Sequence, residues 1–146
     1  WSNNASSIPT GSNDTGFARA TAGVVSFTNA STAGGTWRAV NNSPAQITAD
    51  QNNYSPGGNG YFVRLSTDAS RQITGLTFTT TQVDGQKHEI WNVGSFDIVL
   101  VHQSASSTAA NRFLNSSAAN YTLTPGQGAT LTYDATTSRW RVSLLS

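Results

Sequence analysis

Residues 129–144 read ATLTYDATTSRWRVSL, and apolar and polar side chains alternate on both sides of a polar centre. Alternation with a period of two is typical of a β-strand that has one buried face. The segment between the two runs, residues 134–138, has the composition of a turn. We therefore predict an antiparallel hairpin of residues 129–133 and 139–144. The shared buried face of this hairpin carries Leu131, Tyr133, Trp140 and Val142.

Short runs of the same kind recur along the chain and predict further strands. They lie at residues 23–27, 36–40, 46–48, 61–66 and 71–81. In the fourth run, Phe62 faces one way, while Val63 and Leu65 face the other. In the fifth run, the spacing from Ile73 to Leu76 breaks the period of two, which predicts a bulge or bend at Gly75.

A second hairpin is predicted from residues 86–92 and 96–102, which are joined by a short segment containing Gly94. Alternation places His88 and Ile90 on one face of its first strand. In the loop that follows, residues 107–113 predict one helical turn with Ser107 as its N-cap.

These patterns predict an all-β fold. About nine or ten short strands without a convincing helix are typical of an antiparallel β-sandwich or barrel, and of these we expect a jelly-roll-like sandwich. Residues 1–16 lack periodicity and predict a polar tail or linker, and residues 17–146 a single β-domain. Because the first residue is Trp and not Met, we expect a processed product or a fragment.

The composition narrows the classes of function. Charged residues make up 10% of the 146 residues and the net charge is +1, so no strong field favours nucleic acid as a partner. No apolar run approaches the roughly 18 residues that predict a membrane span, so we expect no membrane insertion. The chain has no cysteine, which excludes a disulfide framework and cysteine metal sites.

Residues 46–142 resemble a module found in tail-fibre and other virion structural proteins of tailed bacteriophages. The resemblance is carried by an ordered series of motifs: DQNNY at 50–54, DASR at 68–71, IWNVGS at 90–95, SSTAANRF at 106–113, LTPG at 123–126 and YDATTSRWR at 133–141. It implies a compact β-domain, often a homotrimer, at or near the end of a fibre or spike on the particle surface.

The resemblance implies no single catalytic site, and we expect a non-enzymatic virion protein without a cofactor. Its expected partners are copies of itself, other virion proteins and a glycan on the host surface. Two alternatives stay open: a structural capsid-decoration or head-fibre protein, and a bacterial lectin-like binding module. An enzyme is the least favoured class.

Few side chains offer catalytic or metal-binding chemistry. Glu89 and Asp97 lie on neighbouring predicted strands, but alternation directs Glu89 away from the core face and favours a surface pair. His88 and His102 lie on apolar faces, where buried imidazoles bonded to the backbone are expected. One histidine per subunit around a three-fold axis is the open alternative. We predict no metal ion.

Glycan sites combine aromatic faces with amide and carboxylate groups, and loops often supply them. Residues 50–54 have this mixture beside a glycine-rich stretch, and the candidate ligand-binding residues are Trp37, Asp50, Asn52, Asn53 and Tyr54. The alternative is structural: Asx-turn hydrogen bonds for the polar residues, a Tyr54 packed on its own loop and a Trp37 in the core. The next candidate surface is the loop at residues 103–119.

Overall fold

The computed structural model describes residues 17–21, 24–27, 39–78 and 81–145 of the chain. The chain divides into two compact units, residues 1–38 and 39–146, and each is described by itself. The predicted tail at residues 1–16 lies outside the described residues, and the boundary predicted between residues 16 and 17 stays a prediction.

In the first unit, β1 (Phe17–Thr21) pairs antiparallel with β2 (Val24–Phe27). The second of these strands confirms the run predicted at residues 23–27. The strand predicted at residues 36–40 falls mostly outside the described residues, and so does Trp37.

In the described part of the second unit, nine short strands form two sheets. The strands are β3 (Asn41–Asn42), β4 (Phe62–Leu65), β5 (Arg71–Ile73), β6 (Lys87–Asn92), β7 (Ile98–Leu100), β8 (Phe113–Asn115), β9 (Tyr121–Leu123), β10 (Gly128–Asp134) and β11 (Arg139–Leu145). One sheet has the order β3-β4-β6-β10-β11-β8, and the other has the order β5-β7-β9. The predicted all-β class is confirmed, since helical structure in the described residues is limited to a 3-10 turn at Ala109–Asn111.

The sheets are mixed, whereas the sequence pattern predicted antiparallel pairing throughout. β4 and β6 pair in parallel, and so do β5 and β7. The reason is the path of the chain, which alternates between the two sheets from β4 to β10. Between two strands of one sheet, the chain forms a strand of the other sheet. The second strand of the first sheet can then run parallel to the first one, and no crossover helix is needed.

The hairpin predicted from residues 86–92 and 96–102 is wrong, although both of its strands exist. β6 lies between β4 and β10, whereas β7 belongs to the other sheet. The buried Asn92 holds the chain at this corner, because its Nδ2 donates to the carbonyl oxygens of Phe96 and Leu123, each at 2.8 Å. Its Oδ1 accepts the Gly94 N–H at 3.0 Å.

The terminal hairpin is confirmed and forms the centre of the core. β10 and β11 pair antiparallel, with Leu131 opposite Val142 and Tyr133 opposite Trp140, so the four residues share one face as predicted. All four side chains are buried. They belong to one apolar cluster that also takes in Ile73, Ile98, Leu100 and Leu123 from the three-stranded sheet. The two sheets therefore share a single core, in the manner of a β-sandwich.

Gly75 marks a close approach between two segments. β5 ends at Ile73. Gly75, where the break in alternation was predicted, forms an isolated bridge with Arg112. A Cβ atom at Gly75 would lie 2.5 Å from the Asn111 carbonyl oxygen and 2.8 Å from the Ser107 side chain. The same Asn111 oxygen accepts the Leu76 N–H at 2.9 Å and so cannot withdraw freely.

We expect Gly75→Ala to lower the free energy of unfolding by about 1–3 kcal/mol, because the added methyl group overpacks this contact. Urea denaturation followed by tryptophan fluorescence measures the change. Ser106→Ala, in the neighbouring loop at an exposed position, serves as the control and should leave the midpoint unchanged. Equal midpoints for Gly75→Ala and the wild type would contradict the close approach.

Candidate functional site

The segment predicted to bind a ligand, residues 50–54, runs beside residues 72–77 like an additional strand. The Gln51 N–H donates to the Gln72 carbonyl oxygen at 2.8 Å, and the Tyr54 N–H donates to the Gly75 carbonyl oxygen at 2.8 Å. The Thr77 N–H returns a bond to the Tyr54 oxygen at 2.9 Å. Backbone pairing therefore holds this segment against the domain.

The polar side chains of this segment hydrogen-bond to distant parts of the same domain. Asp50 Oδ1 accepts the Gln72 N–H at 2.9 Å, and Asn52 Oδ1 accepts the Thr74 hydroxyl at 2.7 Å. Tyr54 is half-buried against the core, and burial raises the pKa of its hydroxyl. These are long-range contacts and not the Asx turns that the sequence suggested. The ligand-binding role of Asp50, Asn52, Asn53 and Tyr54 stays a prediction.

Asn53 links this segment to the loop at residues 103–119. Its Oδ1 accepts three hydrogen bonds: from the Thr108 N–H at 2.8 Å, the Thr108 hydroxyl at 3.0 Å and Asn111 Nδ2 at 2.8 Å. Its own N–H donates to Ser107 Oγ at 2.9 Å. The backbone of Asn53 has φ 49°, a left-handed conformation that asparagine tolerates better than most residues.

Ser107 is not the cap of the helical turn, so that prediction is wrong. The residue preceding the turn is Thr108, and it makes no side-chain capping bond. Ser107 is buried instead, with its hydroxyl 2.7 Å from the Thr74 hydroxyl. Its contacts with Thr74 and Asn53 use the oxygen that a cap would have needed.

We expect Asn53→Gly to lower the free energy of unfolding by about 1–3 kcal/mol, because three donors lose their acceptor while the left-handed backbone is kept. Asn53→Asp is the matched control, because it keeps an acceptor at the same position and should stay close to wild type. Thermal unfolding followed by circular dichroism compares the two variants. A Gly variant as stable as the Asp variant would show that these bonds contribute nothing.

A second group of side chains lies on the face of the six-stranded sheet that points away from the core. Pairing places Phe62 of β4 opposite Glu89 of β6, and Arg64 opposite Trp91. These four side chains are half-buried, whereas their neighbours Val63 and Ile90 are fully buried on the other face. We call this side of β4, β6, β10 and β11 the outer face.

Phe62 and Trp91 form an aromatic platform on the outer face. Their ring centroids are 5.9 Å apart and their planes differ by 36°. The indole lies against Gly128 of β10, where a Cβ atom would come within 2.7 Å of Trp91 Cδ2. Because glycine has no side chain, the indole can approach the backbone of β10 this closely.

Charged and polar groups border the aromatic platform. Glu89 Oε1 accepts the Tyr61 hydroxyl at 3.1 Å, and Glu89 Oε2 lies 3.5 Å from Trp91 Nε1. Tyr61, which stands at the border of the aromatic platform, is 38% exposed. The hydrogen bond to Glu89 is the main cause of the raised pKa of Tyr61. The arrangement combines flat apolar rings with a carboxylate that has lone pairs to spare, which suits a flat ligand with hydroxyl groups.

Alternation predicted Phe62 on the face opposite Val63 and Leu65, but the aromatic platform was not among the sites predicted from the sequence. The available signal was alternation in β6, which puts Glu89 and Trp91 on the face opposite His88 and Ile90. What the sequence lacked was the parallel pairing of β4 with β6, which brings Phe62 beside Trp91.

The structure separates the two acidic residues considered for glycosidase chemistry. Glu89 is on β6 of the six-stranded sheet, while Asp97 precedes β7 of the three-stranded sheet. As predicted, Glu89 points away from the core. Among the described residues, no three His, Asp or Glu side chains come together as a metal-binding group. No helix in that part of the chain is long and apolar enough to cross a membrane.

His88 and His102 hydrogen-bond within the domain. His102 Nδ1 accepts the Asn115 N–H at 3.1 Å. His88 is buried and stacks on Phe78 with centroids 3.6 Å apart. Its Nδ1 lies 2.9 Å from the Gly60 carbonyl oxygen. Since this oxygen can only accept, Nδ1 carries the proton, as expected for a buried imidazole bonded to the backbone.

The other ring nitrogen of His88 faces a donor. Its Nε2 lies 2.9 Å from Gln86 Nε2, while Gln86 Oε1 accepts the Val83 N–H at 3.2 Å and so fixes the orientation of the amide. Protonation of His88 would place two donors against each other. Burial lowers the pKa of His88 below its ordinary value of 6.5, although the bond to Gly60 opposes this shift.

We expect the stability of the domain to fall as the pH drops below about 6.5, because the unfolded chain takes up a proton that folded His88 resists. The contribution of His88 is fully present above that pH and is lost toward its lower folded pKa, with a slope of at most about 1.4 kcal/mol per pH unit. Urea unfolding between pH 7.5 and 5 measures it. His88→Gln should show a flatter dependence; an equal slope in both proteins would assign the effect to other groups.

Comparisons with known proteins give no relative for this chain. No protein-family model matches it, and neither the curated proteins nor the solved structures contain a match. The function is therefore inferred from the chain's own residues and from the motif resemblance described above.

Proposed function

We propose that the chain is a non-enzymatic virion domain of a tailed bacteriophage, part of a tail fibre or spike, which contacts a glycan on the host surface. The motif series over residues 46–142 supports the assignment to the virion. The all-β architecture with two sheets around one core is compatible with it. Homotrimeric assembly, a jelly-roll connection and contacts with other virion proteins belong to the same proposal.

The aromatic platform of Phe62 and Trp91 is the observation that carries the glycan-binding part of the proposal. A pyranose ring has one or two faces made of C–H groups, which pack on an aromatic ring, while its hydroxyl groups need polar partners at the edge. The half-buried Trp91 indole supplies the first surface, and the Glu89 carboxylate supplies acceptors beside it.

The aromatic platform supports binding better than the segment at residues 50–54 does. Side-chain oxygens of Asp50, Asn52 and Asn53 already accept hydrogen bonds from the domain itself, so a ligand would have to compete with the fold for them. The side chains of the platform stand on regular strands, which hold them in place without using their outward surfaces.

We expect Trp91→Ala to abolish adsorption to host cells or to a glycan array, because the surface on which the sugar stacks is removed. Trp91→Phe should retain part of the binding. Phe96→Ala is the matched control, since Phe96 is also an exposed aromatic residue, at 47%, but follows β6 in the turn to β7. Melting temperatures measured in parallel show whether each variant is folded.

Two results would contradict this assignment. Unchanged adsorption of folded Trp91→Ala would exclude the aromatic platform as the contact surface. Loss of adsorption in folded Tyr54→Ala, with Trp91→Ala unaffected, would place the site in the segment at residues 50–54 instead.

A further inference from the structure

Arg64 differs from the other arginines of the second unit in its hydrogen bonding. Arg71 and Arg141 pair with Asp68 and Asp134, at 2.8 and 2.6 Å. Arg112 donates to the Ser107 carbonyl oxygen, and Arg139 donates to Gln103 Oε1, each at 2.8 Å. These guanidinium groups hold loops of the domain in place.

Arg64 instead lies on the aromatic platform. Its Cζ is 4.8 Å from the centroid of the Phe62 ring, and pairing of β4 with β6 puts it opposite Trp91. Unlike Arg71 and Arg141, it has no ion pair: among the described residues, no carboxylate lies within 4.0 Å of its guanidinium nitrogens. The stacking on Phe62 orients the guanidinium while its N–H groups remain available for an anionic ligand.

The carboxylate that borders the aromatic platform belongs to Glu89. Glu89 is opposite Phe62, two pairs along the ladder from Arg64, and its oxygens face Tyr61 and Trp91. A small inorganic anion would be drawn to Arg64 but repelled by Glu89. A ligand that carries an anion at one edge and hydroxyl donors at another would satisfy both groups.

We propose that the aromatic platform binds a hexuronate residue, with its ring on Trp91, its carboxylate on Arg64 and a hydroxyl group donating to Glu89. In a β-glucuronide chair the C5 carboxylate is equatorial and lies near the plane of the ring, while the axial C–H groups at C1, C3 and C5 form one apolar face. A ring stacked through that face directs its carboxylate sideways toward the guanidinium. This inference rests on the proposed function and specifies the class of sugar.

Methyl β-glucuronide and methyl β-glucoside are the matched probes, because they differ only in oxidation at C6. Titration of each into the full chain is followed by NMR at the Trp91 indole N–H, assigned through its disappearance in Trp91→Phe. At low salt we expect the glucuronide to bind roughly three- to tenfold more tightly than the glucoside, and added salt to reduce the ratio.

We expect Arg64→Gln to bring that ratio to about one while leaving glucoside binding in place. Arg64→Lys should recover part of the preference. Lys87→Gln removes a positive charge from β6 on the same outer face of the sheet, at an exposed position, and should leave the ratio close to wild type. A ratio near one in the wild type, or a preference that survives Arg64→Gln, would overturn the hexuronate assignment.

Failure of the proposed function gives a different result. If neither glycoside shifts the indole signal and folded Trp91→Ala still adsorbs to host cells, the aromatic platform is not a glycan site at all. If the indole signal shifts with protein concentration and sedimentation shows association, a second copy of the chain covers the outer face. That result overturns the glycan-binding part of the proposed function together with the hexuronate assignment, and leaves homotrimeric assembly in place. Neutral-sugar binding that depends on Trp91 but not on Arg64 keeps the proposed function and rejects only the hexuronate.

Discussion

A buried hydrogen bond links the six-stranded sheet to the chain that follows β5 of the three-stranded sheet. In it, the Trp140 indole N–H donates to the Leu76 carbonyl oxygen at 3.0 Å. An indole N–H in a core needs an acceptor, because a buried donor left unpaired costs about 1–3 kcal/mol. Trp140 belongs to β11 of the six-stranded sheet, whereas Leu76 follows β5 of the other sheet. The rings of Phe78, His88 and Tyr133 pack around the indole, with centroids 5.1–5.6 Å from its own.

The polar composition of the chain follows from the shortness of its strands. Each strand ends after a few residues, and backbone groups at the corners need partners that the ladders do not provide. Buried asparagines supply many of them: Asn92 bonds to two carbonyl oxygens at the turn after β6, and Asn115 donates to Leu100 and Ala119 at 3.1 and 2.8 Å. Asn53 does the same for the loop that contains Thr108. These three asparagines therefore act as structural residues.

The aromatic platform and the core are two sides of the same strands. Val63 and Ile90 pack into the core from β4 and β6, and Phe62 and Trp91 occupy alternate positions on the outer face of the same strands. Gly128 contributes by having no side chain, which lets the indole lie on the sheet. Such a surface is rigid because every residue that carries it is paired in a ladder, which favours recognition of a rigid, flat ligand.

The sequence alone determined the all-β class, the hairpin of β10 and β11 with its buried face, and the outward direction of Phe62 and Glu89, because these depend only on the two-residue period of a strand. Tertiary structure decided the rest. Alternation cannot show that β6 and β7 belong to different sheets, since a corner and a hairpin use the same turn residues. Nor can it show that Asn53 points at Thr108, or that Phe62, Arg64 and Trp91 meet. These contacts join residues far apart in the chain, and they exist only because strands from separate segments pair side by side.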